Sequence, residues 1–194
     1  MVFAMLEALK SIYILILLPL VLLGVSGCAV VHHYSPYLGK VVDVDTGEPI
    51  EGAAVLAIYY TQSYGLGGSG SDFLDAQETI TNKSGEFKVS SLTSLTFRPL
   101  QTFEPWAWIT VYKPGYAGYG CLWRHEKVEP SRRPFPPNNP IIVKLPELKT
   151  KEERLKYVNC NPYNVPKKKY PSLLRLINSE NFCLGIDLIS DNEK

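Results

Sequence analysis

An excess of charge of either sign is missing from this 194-residue chain: 20 Lys and Arg stand against 19 Asp and Glu. A balance so near zero argues against a nucleic-acid footprint and against a polybasic membrane binder. No apolar run reaches the ~20 residues that a membrane-spanning helix needs. No helical pattern of ordinary length lies between the strand-like segments, so parallel βαβ units are not expected. Histidine is scarce, with His32, His33 and His125 only, and G-x-S-x-G is absent. Gly67-Gly68-Ser69-Gly70-Ser71 lacks the final glycine of that nucleophile turn. What is present is 45% hydrophobic and 11% aromatic, which excludes a disordered chain. Fourteen Gly and fifteen Pro suit a loop-rich β protein better than a helical bundle.

Residues 12–23 form an apolar run broken only by Tyr13 and Pro19. Its length fits the hydrophobic region of a secretory signal. The run ends in Gly24-Val25-Ser26-Gly27-Cys28, and small residues directly before a cysteine resemble the lipobox of bacterial lipoproteins. That resemblance implies cleavage before Cys28, a diacylglyceryl group on its thiol and acylation of the new amine. Residues 1–27 are then a signal peptide, and the mature chain has 167 residues. Ala29 stands where an Asp would signal inner-membrane retention, so the expected location is the outer membrane, facing the periplasm.

After a tether over residues 28–37, strand-like runs recur with turn signals between them. They cover residues 38–44, 53–61, 77–81, 86–89, 107–113 and 141–145. Asp45-Thr46-Gly47-Glu48-Pro49 and Asn82-Lys83-Ser84-Gly85 are turns. The natural packing is an antiparallel sandwich with Greek-key connections. Gly39-Lys40-Val41-Val42-Asp43, followed by Thr46-Gly47-Glu48-Pro49-Ile50-Glu51-Gly52-Ala53-Ala54-Val55, resembles the opening of the carboxypeptidase regulatory-like domain. Thr81-Asn82-Lys83-Ser84-Gly85-Glu86-Phe87 is similar to its central hairpin. Tyr112-Lys113-Pro114-Gly115-Tyr116 is similar to its late turn, and Ile141-Ile142-Val143-Lys144-Leu145 to its closing strand. The resemblance implies a mainly β, seven-stranded, transthyretin-like sandwich over residues 38–146. Residues 62–76 and 90–105 are then inserted loops, and residues 147–194 a helical appendage.

Candidate chemistry is thin. Gly65-Leu66-Gly67-Gly68-Ser69-Gly70 spells a dinucleotide fingerprint, but no helix pattern opens at its last glycine, so it reads as a loop. His32 and His33 read as part of a solvated tether. Asp43, Asp45, Glu48, Asp72 and Asp75 match no EF-hand spacing, and Asp43 reads as a turn-stabilising side chain. Lys167-Lys168-Lys169 reads as a solvated loop. Neither a metal nor a cofactor is expected.

Trp106, Trp108, Thr110 and Tyr112 share one face of a strand whose other face is also apolar. A free sandwich has a polar outer face, so something covers this one. Added protein is the simpler cover; the alternative is a carbohydrate stacked on Trp106, Trp108, Tyr112 or Tyr116. In the appendage, Thr150-Lys151-Glu152-Glu153 is a capping box for a helix to about Val158. Pro171 starts a second helix with Leu173, Leu176 and Ile177 on one face. Both must dock on the face carrying Trp106 and Trp108. A Cys160–Cys183 disulfide is expected to pin the pair, with Cys121 free; pairing of Cys121 with either is the rival, and three reduced thiols the third case. The expected function is a non-enzymatic, lipid-anchored envelope protein, structural or ligand-binding, held to the membrane by its N-terminal lipid and touching envelope proteins or glycans. A carbohydrate-binding accessory module is the alternative.

Overall fold

The computed structural model describes residues 12–18, 28–65, 68–99, 101–128, 135 and 138–190. Most of the expected signal peptide, residues 1–11 and 19–27, with its expected cleavage site before Cys28, lies outside these. Residues 12–18 form a helix, α1, exposed at every position. No helix among the described residues is long and apolar enough to cross a membrane.

The protein is mainly β. Nine strands are described: β1 (Cys28–Tyr34), β2 (Tyr37–Asp43), β3 (Ala54–Gly65), β4 (Gly68–Ile80), β5 (Glu86–Val89), β6 (Leu92–Pro99), β7 (Gln101–Phe103), β8 (Trp108–Tyr112) and β9 (Ile141–Leu145). They build three sheets: a β1–β6 ribbon, a β5–β2–β9 sheet, and a β4–β3 hairpin whose free edge takes β7 and then β8. Three expectations change here. The strands number nine rather than seven, and β2 pairs with β9 in parallel, so the array is not wholly antiparallel. The supposed tether is β1, which finds its partner in β6 some 60 residues away. Both supposed loop insertions are largely extended chain. Gly65 pairs with Gly68, so the glycine-rich stretch is a hairpin tip, with residues 66–67 outside the described ones, and residues 71–76 continue as strand rather than helix.

Local chemistry sets the turns. Asp43 Oδ1 accepts from the backbone N–H of Asp45 and of Thr46, both at 2.8 Å, and Gly47 follows at φ +74°. Asn82 Oδ1 accepts from Ser84 and Glu86, and Gly85 sits at φ +71° with Val41 O so close that a Cβ would lie 2.4 Å from it. Only glycine fits there.

β3 is buried on both faces from Ala54 to Tyr59 because two cores flank it. Val55, Ala57 and Tyr59 pack inward with Ile109 and Val111 of β8, Val41 of β2, Phe87 of β5 and Val143 of β9. Ala54, Leu56 and Ile58 face outward, with Tyr112, onto the appendage. That appendage holds α2 (Lys151–Tyr157), opened by the Thr150–Glu153 capping box, and α3 (Pro171–Leu184). α3 lays Leu173, Leu174 and Ile177 on the sheet. Each such side chain contributes about 1.5–3 kcal/mol when buried, which a 14-residue helix that is marginal alone requires. Its first turn is capped by the sandwich itself: Glu78 of β4 accepts from Ser172 N at 2.9 Å and Leu173 N at 2.5 Å. Arg154 of α2 donates twice, at 2.6 Å, to the buried Glu180 of α3.

The disulfide joins Cys121 to Cys160, with Cα atoms 4.5 Å apart. The expected Cys160–Cys183 bond is therefore wrong, and Cys121 is not the free thiol. α3 turns Leu173, Leu174, Ile177, Asn181 and Leu184 inward, which leaves Cys183 on its solvent side. Cys160 is buried at 2% exposure in the outer core, where the chain after β8 returns through the Val111–Tyr119 bridge to deliver Cys121.

Candidate functional site

The outer face of the β3–β4–β8 sheet is only partly roofed by α3. Tyr112 lies beneath the helix at 1% exposure, so it offers no ring to a ligand. Tyr116 packs partly buried against the inner core, away from the outer face. Trp106 lies in a bend before β8 and does not share its face as expected, while Trp108 on that face remains 40% exposed, so the appendage covers less of it than expected. Beside the roofed part lies a cleft of about 500 Å³. Its floor is Ile58 and Tyr60 of β3, Phe73 of β4, and Trp108 and Thr110 of β8. It is also lined by two adjoining segments that the disulfide ties together, Cys121–Leu122 and residues 160–164.

Trp108 is held rather than merely exposed. Its indole N–H donates to Glu104 Oε2 at 2.6 Å, and Glu104 is 3% exposed. Gln62 donates to the other oxygen of Glu104 at 2.8 Å, and Tyr64 O–H donates to Gln62 Oε1 at 2.7 Å. Glu104 itself is positioned by its backbone N–H, which donates to Tyr60 O at 3.0 Å. A rotor-poor aromatic ring fixed in this way presents its face at little entropic cost. Burial, then the nearby Glu104, pushes the Tyr60 hydroxyl above its ordinary pKa.

Polar groups ring the same cleft. Asn161 Oδ1 accepts from Tyr170 O–H at 3.0 Å, whereas Asp72, paired with Thr61 and hydrogen-bonded to Gln101 Nε2 at 2.8 Å, carries its carboxyl group on the opposite face of the sheet. Ser71 and Asn164 complete the rim, together with the 85%-exposed Tyr163. An aromatic floor bordered by amide and hydroxyl groups is chemistry suited to a neutral, hydroxyl-bearing ligand.

The other candidates are dispersed. His32 faces the body and lies stacked on Phe103 with centroids 5.2 Å apart, while its neighbour His33 points the other way and meets Thr93 Oγ1 at 2.9 Å. Successive strand residues face opposite sides, so the two rings cannot share a metal, and neither sits in a solvated tether. Asp45 pairs with Lys127 at 2.8 Å and Asp75 with Lys169 at 2.7 Å, leaving the acidic residues engaged separately. Lys169 closes a short 3-10 turn, Lys167–Lys169, and is not a freely solvated charge. Among the described residues no three His, Cys, Asp or Glu side chains are grouped to hold a metal. Cys28 opens β1 opposite Pro99.

Sequence reasoning found Trp108 and missed Tyr60, Phe73, Glu104, Asn161 and Tyr163. The available signal was the rival cysteine pairing: a Cys121–Cys160 bond brings residues 161–164 over the strand that carries Trp108. Comparison with protein-family models, with curated proteins and with solved structures returns no match.

Proposed function

We propose that this chain is a non-enzymatic, lipid-anchored protein of the bacterial cell envelope, whose sandwich, of transthyretin-like, Greek-key type, binds a ligand in the Trp108 cleft. The observation that carries the reading is the indole of Trp108, locked by a buried carboxyl group and left open as part of an aromatic floor. The hydrogen bond also satisfies the buried Glu104 carboxyl group; what favours a ligand is the ring face left open beside the cleft. The three histidines are each engaged away from the cleft, and its polar groups suit holding a ligand more than transforming one.

Carbohydrate is the ligand class this chemistry favours. A sugar ring offers apolar C–H faces to Trp108 and Tyr60 and hydroxyls to Ser71, Asn161 and Asn164. The test is binding of the full chain to envelope glycans, with Trp108→Ala and Trp106→Ala compared. Trp108→Ala should abolish binding, whereas Trp106, outside the cleft lining, should be dispensable. Equal losses in the two variants, or glycan binding unaffected by Trp108→Ala, would remove the cleft from the reading. The anchor is tested separately: Cys28→Ser should abolish palmitate incorporation and leave an unprocessed precursor.

A further inference from the structure

β6 inverts the usual rule for a surface strand. Thr93, Leu95, Phe97 and Pro99 are its exposed positions, while Ser94, Thr96 and Arg98 are partly buried. Leu95 is 78% and Phe97 70% exposed, and Val31 of β1, directly opposite Leu95, is 59% exposed. The three therefore form one contiguous apolar patch. The outward residues of β6 and Val31 and His33 of β1 include no acidic or basic side chain except His33, which is tied to Thr93. The opposite face of the ribbon is bolted to the body. Arg98 donates to Thr61 Oγ1 at 2.8 Å and to Phe73 O at 3.0 Å, and His32 stacks on Phe103. The patch cannot turn inward.

We propose that this outward face of the β1–β6 ribbon lies against the lipid bilayer, as a second membrane contact beside the anchor; the proposal rests on the lipid-anchor reading. Its occupant is named by continuity. Cys28 is the first residue of the ribbon and pairs with Pro99, so the anchoring residue stands only two positions along β6 from Phe97. A lipid on Cys28 holds that end of the ribbon within roughly one strand step, ~3.3 Å per residue, of the interface. Contiguous exposed apolar surface of this kind marks an interaction site, and at this place the nearest apolar phase is the membrane. The orientation has a consequence for the cleft. Thr61, which meets the ribbon through Arg98, and Tyr60, which floors the cleft, are successive residues of β3 and point to opposite faces. With the ribbon on the bilayer, the cleft opens away from it.

The experiment uses the full chain in isolated bacterial membranes, labelled in place with a photoactivated carbene reagent that partitions into lipid hydrocarbon. Palmitate incorporation is measured on the same sample. The peptide covering residues 92–99 should be labelled and the peptide carrying Trp108 should not. In Leu95→Glu/Phe97→Glu the label on residues 92–99 should fall to background while palmitate is still incorporated. Palmitate present with residues 92–99 unlabelled overturns the ribbon contact and leaves the anchor standing. Palmitate absent overturns the anchor reading, and the label on residues 92–99 then decides the ribbon contact by itself. An unlabelled ribbon crosslinked to its counterpart in a second copy also overturns the proposal, by naming a protein as the occupant.

Discussion

Breaking the Cys121–Cys160 bond is expected to destabilise the chain by about 4 kcal/mol. The two cysteines are separated by 39 residues, and closing a loop of that size removes roughly that much chain entropy from the unfolded state. The bond also sits on bare backbone: a Cβ on Gly118 would lie 2.3 Å from Cys121 Sγ and 3.0 Å from Cys160 Sγ. Cys160 is buried, so alanine is the cleaner replacement; serine would add about 1–3 kcal/mol for an unpaired hydroxyl. Cys121→Ala/Cys160→Ala should therefore lower ΔG by about 4 kcal/mol in a denaturant titration, or Tm by about 8–16 °C for a chain this size. Cys183, exposed on α3, supplies the control, and Cys183→Ala should stay within about 0.5 kcal/mol of wild type. Because residues 160–164 line the cleft, the double alanine variant should also weaken ligand binding with Trp108 intact. A non-reducing peptide map joining Cys160 to Cys183, or a Cys183→Ala loss as large as that of the pair, would refute the reasoning.

Glu78→Ala should cost about 1–2 kcal/mol, because Tyr170 provides no side-chain cap and two N–H groups at the start of α3 would lose their acceptor. Hydrogen exchange should then rise in residues 171–174 before it rises in the sandwich; uniform loosening would contradict the docking role given to Glu78. Stability should also fall on the alkaline side. Burial holds the hydroxyls of Tyr34, Tyr59 and Tyr112 well above their ordinary pKa of 10. The folded chain thus retains protons that the unfolded chain releases, and this contribution is whole below pH ~10 and lost as pH climbs beyond it. Thermal melting followed against pH, with tyrosinate absorbance as the second readout, checks this; tyrosines that all titrate near 10 without unfolding would contradict it.

The features legible in the sequence are those set by neighbours in the chain. Asn82 and Gly85 make their turn with residues two to four positions away, Thr150 caps with Glu153, and Pro171 opens α3 because its missing N–H costs nothing there. β5 and β9 fall at residues 86–89 and 141–145, where the apolar alternation placed them. What escaped depends on partners far along the chain. Residues 28–34 read as a tether because nothing local tells a strand from a linker until residues 92–99 arrive to pair with it. β6 resisted for a further reason: its apolar residues point out, so a period-2 reading that assigns apolar to the core gets its facing backwards.

The cysteines pose the same problem in sharper form. Helix periodicity puts Cys183 two turns beyond Leu176, beside the expected docking face, so the pattern that predicted the helix could not warn that Cys183 is exposed and Cys160 bonds elsewhere. The cleft follows from that correction. Had Cys160 bonded to Cys183, residues 161–164 would be tied to α3; bonded to Cys121, they line the same cleft as Trp108. The floor is rigid because β3 is buried on both sides, the ring is rigid because Glu104 holds it, and the two adjoining segments are joined by one covalent bond. The cleft thus rests on three segments that meet only in the folded chain, and a single reducing step should loosen one of them without disturbing the other two.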